Sequence, residues 1–136
     1  MAATTVGDSR FTLMNNNGEL THAQVDTLNR HVLGGALLGD IITSSGNVVK
    51  EVTSASDIPV TIYEDITRFV VVSDGAYVGG DDGAEDNQAI GELLKVPTAT
   101  AQQIAKAILE RALRAFDEWR KKPDNVTVLV GFRRGT

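Results

Sequence analysis

A chain of 136 residues, 42% apolar and 23% charged, has the composition of one soluble globular domain. At that length it can bury about two-thirds of its unfolded surface. The formal net charge of −5 excludes overall electrostatic attraction to nucleic acid, and the lack of cysteine excludes disulfide frameworks and thiolate metal sites. The opening MAATTVGDSR has no basic stretch before an apolar run, and no apolar segment reaches bilayer-spanning length. The expectation is a cytoplasmic protein with no membrane and no nucleic-acid partner.

Val6 to Met14 reads as a strand that turns at Asn15-Asn16-Asn17-Gly18, where Asn17-Gly18 suits the positive φ angles of a tight hairpin. Glu19 to Val25 is the returning strand. Asp26 to Asp40 is glycine-punctuated and ambiguous. Val48 to Thr53 and Ile58 to Ile62 read as short strands, the second with Ile58, Val60 and Ile62 on one face and Pro59 marking a sheet edge. Arg68 to Ser73 carries Phe69, Val70, Val71 and Val72 without alternation, which predicts a strand covered on both faces.

Gly79 to Glu85 is an acidic, glycine-rich loop, and Asn87 to Leu94 a short helix. Thr100 and Gln103 have capping-box spacing and predict a long helix after them. Ile104, Ile108, Ala112, Phe116 and Trp119 form its apolar stripe. Arg120, Lys121 and Lys122 complement the helix dipole, and Pro123 stops the helix. Val126 to Phe132 alternates as a final strand. Strands come first, then two helices, then one strand, with hairpin signals outnumbering parallel crossovers. The expected fold class is α+β: a mainly antiparallel sheet with helices packed outside it, in a single domain spanning 1–136.

Asp74 ends the strand in RFVVVSDG, and Asp124 begins the last strand in PDNVTVLV. If those strands are antiparallel neighbours, the two carboxylates meet at one rim of the sheet. Paired carboxylates without sulfur or histidine nearby suit a hard cation, Mg²⁺ or Mn²⁺. Read singly, Ser73-Asp74-Gly75 is an ordinary turn. His22 and His31 lack metal-site or triad spacing and read as surface positions. Asp81, Asp82, Glu85 and Asp86 read as a solvated loop, with Asp86 capping the short helix, or as a divalent-ion site.

The segments VGDSRFTLMNNNGELT, ALLGD, RFVVVSDGAY and PDNVTVLVGF stand in the order found in metal-dependent serine/threonine phosphatases of type 2C, and the chain resembles the C-terminal half of that family from Val6 to Phe132. The resemblance implies two antiparallel sheets packed face to face with helices outside. It implies two Mn²⁺ or Mg²⁺ ions, with Asp74 and Asp124 matching two metal-binding aspartates, and a metal-bridging water that attacks the phosphorus of a phosphoserine or phosphothreonine. Asp8 in Gly7-Asp8-Ser9-Arg10 matches a position read as structural.

The resemblance also marks departures. The family's earlier Asp-Gly-x-Gly-Gly segment, whose aspartate bridges both metals, has no counterpart; Val78 to Gly83 is nearest but follows Ser73-Asp74-Gly75. Three expectations follow. The first is a phosphatase module inactive alone or completed by another chain. The second is a non-catalytic scaffold acting as a homo-oligomer, most simply a homodimer that covers open sheet edges. The third is a rebuilt active site using the Asp81 to Asp86 cluster.

Overall fold

The computed structural model describes residues 1–3, 9–23, 25–27, 39–43, 48–52, 60–79 and 83–135. Within them lie β1 (Ala2–Ala3), β2 (Arg10–Asn15), β3 (Leu20–His22), β4 (Val25–Thr27), β5 (Gly39–Thr43), β6 (Val48–Val52), β7 (Thr61–Ile62) and β8 (Ile66–Val72). A 3₁₀ turn (Asp74–Ala76), α1 (Ala84–Leu94), α2 (Ala101–Asp117) and β9 (Val128–Phe132) follow. The fold is α+β with antiparallel sheets and two helices. The largest sheet has the order β3-β2-β8-β9, β4-β5-β6 forms a second, and β1 pairs with β7.

The β2–β3 hairpin forms as expected but with a wider turn. Asn15 N–H donates to the Glu19 carbonyl at 3.0 Å, and Asn15 Oδ1 accepts from the amides of Asn17 and Glu19. Gly18 alone in this turn takes a positive φ, 78°, so Asn17 is spared the left-handed conformation. The predicted returning strand from Glu19 to Val25 divides. Leu20–His22 stays with β2, whereas Val25 pairs across to Thr43 in the second sheet. Of the predicted strand from Ile58, residues 58 and 59 lie outside the described set. Thr61 and Ile62 pair with the N-terminal Ala2–Ala3, and Val60 and Ile62 are exposed rather than buried.

Strand β8 sits between β2 and β9, with Val72 opposite Arg10 on one side and Val128 on the other. Its alternation sends Val70 and Val72 toward the helices, where they join Ala76, Ile90, Leu94, Ile104 and Ile108 in one buried cluster. Burial of each such valine, leucine or isoleucine stabilises by about 1.5–3 kcal/mol. Val126, Val128, Val130 and Phe132 pack against the same cluster, as the final strand's alternation predicts. The expected cover on both faces is corrected: Val71 remains 37% exposed and Leu129, opposite it, 58%. The helices occupy one face; on the other, among the described residues, Phe11 and Leu13 of β2 are buried.

Helix α1 begins earlier than predicted, at Ala84, and Arg68 from β8 closes its far end. The Arg68 guanidinium donates to the carbonyls of Leu94, Val96 and Pro97 at 2.9, 2.8 and 3.2 Å while stacking on Phe132. Helix α2 starts with the predicted capping box. Thr100 Oγ1 accepts from Gln103 N–H at 3.1 Å, and Gln103 Oε1 from Thr100 N–H at 2.9 Å. It ends at Asp117, before Pro123. Trp119 N–H bonds to the Phe116 carbonyl and Arg120 N–H to that of Ala115, a Schellman closure with Trp119 at φ 57°. That closure removes Trp119 from the apolar stripe and leaves it 89% exposed, while Ile104, Ile108 and Ala112 are buried and Phe116 is half-buried.

Candidate functional site

The pairing of β8 with β9 continues beyond its last ladder residues. Ser73 N–H donates to the Thr127 carbonyl at 3.0 Å, and Thr127 N–H donates to Ser73 Oγ at 2.9 Å. The chain then tightens. Ala76 N–H bonds to the Ser73 carbonyl and Tyr77 N–H to that of Asp74, forming the 3₁₀ turn that Asp74 opens. Gly75 is buried against Asn125, and a Cβ at Gly75 would overlap the Asn125 carbonyl. The residue types of Ser73-Asp74-Gly75 thereby acquire separate reasons. Serine ties the turn to the neighbouring segment, glycine permits the close approach, and aspartate stands between them at the rim.

Asp124 lies on that neighbouring segment, with its Oδ1 accepting from Asn125 N–H at 2.7 Å. It does not begin β9, as the sequence suggested, but lies four residues before it, because the ladder starts at Val128. Asp74 and Asp124 line one cleft of about 470 Å³. The segments that adjoin the paired strands thus both reach this cleft.

The cleft also holds cations that the pattern of carboxylates did not reveal. Arg10 lies with its guanidinium carbon 4.4 Å from the Tyr77 ring centroid, and Lys121 Nζ lies 6.0 Å from the same centroid. Lys121 Nζ donates to the carbonyls of Asp74 and Tyr77 at 2.5 and 2.6 Å, stapling the segment after α2 to the 3₁₀ turn. Lys122 lines the cleft and is exposed. In sequence Lys121 and Lys122 read only as complements of the helix dipole. Because α2 ends four residues before Lys121, the pair is delivered to the cleft instead.

Asp86 is corrected from a solvent-facing helix cap to a buried anchor. It is 2% exposed, accepts from Arg111 Nη1 at 2.6 Å, and accepts from the amides of Val78 and Gly79 at 2.9 and 3.2 Å. Gly83, in a left-handed conformation at φ 72°, holds the N-cap position expected for Asp86. Arg111, on α2, was the missing partner; a lone arginine on a helix gives no sequence signal for such a bond. Glu85 is exposed and 3.7 Å from Arg111. Asp81 and Asp82, like Asp8 and His31, lie outside the described residues.

His22 sits on β3 with its Nδ1 2.8 Å from Thr12 Oγ1, and partial burial pushes its pKa below the usual histidine value. Among the described residues, no three carboxylate or histidine side chains come together as a metal-holding group, and no helix is long and apolar enough to cross a membrane. Among the described residues, the cleft is lined by the acidic Asp74, Asp86 and Asp124 and by the basic Arg10, Lys121 and Lys122. A scan against protein-family models finds no match to this chain, and a search of the curated proteins finds none.

Proposed function

We propose that this chain is a type-2C-like serine/threonine phosphatase module, resembling the C-terminal half of that family's β-sandwich, whose share of the metal site is Asp74 and Asp124. On this reading it is inactive alone or completed by another chain. The observation that carries the reading is that Asp74 and Asp124, 50 residues apart in sequence, line one cleft on the segments that adjoin the paired strands β8 and β9.

The donor set suits Mn²⁺ or Mg²⁺ in kind, since both donors are hard oxygens, and falls short in number, since such ions take about six ligands and keep several waters. A bound divalent ion would supply water activation and neutralise charge on a phosphoryl group. The chain's own residues orient the donors. The Ser73–Thr127 bonds and the Gly75–Asn125 contact fix the two segments, and Lys121 ties down the carbonyls of Asp74 and Tyr77.

Calorimetric titration with Mn²⁺, run beside an assay of a chromogenic phosphate ester, tests the proposal. Weak Mn²⁺ binding that disappears in Asp74→Asn and Asp124→Asn, with little or no turnover, is the expected result. Equal binding by the wild type and both variants would sink the metal reading.

A second reading is favoured by the exposure of Val71 and Leu129 on the sheet face opposite the helices. It treats the chain as a non-catalytic scaffold that works as a homo-oligomer and covers this face with a second copy. Solution mass measurement decides it, and a clean monomer at high concentration removes it.

A further inference from the structure

We infer that the open edge of β9 takes an extended segment of another chain as an added strand of the main sheet. The inference deepens the reading in which a second chain completes this one, by naming the surface that chain uses. The edge itself owes nothing to the metal.

Strand β9 ends the order β3-β2-β8-β9 and has one neighbour among the described residues. Ser73 N–H bonds to the Thr127 carbonyl and Arg133 N–H to that of Thr67, so Thr127, Leu129, Gly131 and Arg133 turn their main chain toward β8. Antiparallel pairing alternates, which turns the N–H and carbonyl groups of Val128, Val130 and Phe132 outward. The β8–β9 register is continuous, and β9 carries no charge or proline that would blunt its edge.

Helix α2 roofs this edge. It packs on β9, whereas α1 packs on β2 and β8. Ile104, Ile108 and Ala112 of α2 are buried, and Ala107, Arg111 and Arg114 line the groove beside α1. At about 100° per residue, Leu109 falls on the flank away from α1, with Leu113 one turn further on. That flank overhangs the outer side of β9, and Leu109 and Leu113 are 38% and 47% exposed. An added strand lies beneath it. Its main chain meets Val128, Val130 and Phe132, and its alternate apolar side chains fill the space under the two leucines.

A second copy does not fit the same edge. Two β9 strands paired across a two-fold axis lie about 4.8 Å apart. The α2 helices above them would be separated by a similar distance, whereas packed helices need about 8–10 Å. The occupant is therefore a segment with no helix over it: an extended peptide with apolar residues at alternate positions.

The test follows amide hydrogen exchange in the full chain, ¹⁵N-labelled and dilute. Alone, Val128, Val130 and Phe132 should exchange fast, and Leu129 and Gly131 slowly. The probe is a lysine-flanked peptide alternating valine and threonine, at millimolar concentration, and its control is the same peptide N-methylated along its backbone. The peptide should slow exchange at Val128, Val130 and Phe132, and the control should not. Leu109→Lys with Leu113→Lys changes two exposed positions, so it should keep the melting temperature while weakening peptide binding by about tenfold, because charges replace apolar contacts.

Slow exchange at the three amides in the dilute chain alone, no protection by the peptide, equal protection by the N-methylated control, or unchanged affinity in the leucine double variant would each overturn the inference. Protection that grows with protein concentration without peptide, alongside a doubled solution mass, would make the occupant a second copy and remove the assignment to another chain. The Mn²⁺ titration above reports separately on the metal, so the edge and the phosphatase reading can fail independently.

Discussion

Ser73 and Thr127 bond to one another twice. Ser73 gives its amide to the Thr127 carbonyl at 3.0 Å, and its hydroxyl oxygen receives the Thr127 amide at 2.9 Å. The second bond replaces a backbone acceptor, because at Ser73 the main chain is already turning into the 3₁₀ turn. A side chain thus extends the pairing of β8 and β9 toward the cleft that Asp74 and Asp124 line.

Ser73→Ala removes the acceptor for the Thr127 amide and a long, weak bond at 3.4 Å to the Asn125 carbonyl, and leaves the backbone pair intact. Thr127 is exposed, so water can take the vacated place. The expected loss is about 0.5–1.5 kcal/mol, the net value of one hydrogen bond. Urea unfolding measures it. Amide exchange should quicken at Thr127 and Asn125 but not in the buried part of β8. A uniform increase across the sheet would show that the serine supports the whole fold rather than the rim.

Trp119→Gly should stabilise the protein. Trp119 holds a left-handed conformation at the end of α2 and is 89% exposed, so it buries little to offset the backbone cost. Relief of a left-handed non-glycine residue amounts to about 1 kcal/mol, reduced by the greater freedom of glycine in the unfolded chain. The melting temperature should rise, and a fall would mean that the indole makes a contact worth more than the strain.

Much of this architecture was legible in the sequence, for physical reasons that differ between elements. The capping box at Thr100 and Gln103 is local chemistry and appears as read. The alternation of Val126, Val128, Val130 and Phe132 fixes which face of β9 meets the core, since period-2 patterning needs only one buried face. The double apolar face of β8 misled, because Val71 has the composition of a buried residue and is 37% exposed. Trp119 misled because the helical stripe continues in sequence past the point where the backbone closes. Asp74 and Asp124 could be paired from strand order alone. Lys121 and Arg10 could not, since their arrival in the cleft depends on where α2 stops and on which face of β2 Arg10 occupies.

Stability should decline as the solution is acidified through the histidine range. Burial lowers the pKa of His22 in the folded protein relative to the unfolded chain. Well above the unfolded value of about 6.5, both states are neutral and the full stability is present. As pH falls below it, the unfolded chain takes up a proton first, and stability is lost down through the folded pKa. Thr12 Oγ1 can donate or accept, so its bond to Nδ1 does not itself oppose the proton. Denaturant unfolding at several pH values should show the decline, and His22→Gln should flatten this part of it. An unchanged slope in the variant would assign the decline to other groups.

Asp86→Ala should be the most damaging single change near the cleft, and damaging to the fold rather than to ligand binding alone. Asp86 is nearly inaccessible and receives Arg111 together with the amides of Val78 and Gly79. Its removal leaves a half-buried arginine without its main partner and two amides without an acceptor. Breaking such a pair from one side costs about 3–5 kcal/mol where both charges are buried, and less here because part of the Arg111 side chain reaches solvent. The double variant Asp86→Ala with Arg111→Met removes both charges and should recover part of the loss, since a matched apolar pair avoids the stranded cation. Recovery in thermal unfolding would identify Asp86 as an anchor between α1, α2 and the segment after Tyr77. Failure to recover, with Mn²⁺ binding lost while the fold persists, would instead return Asp86 to the chemistry of the cleft.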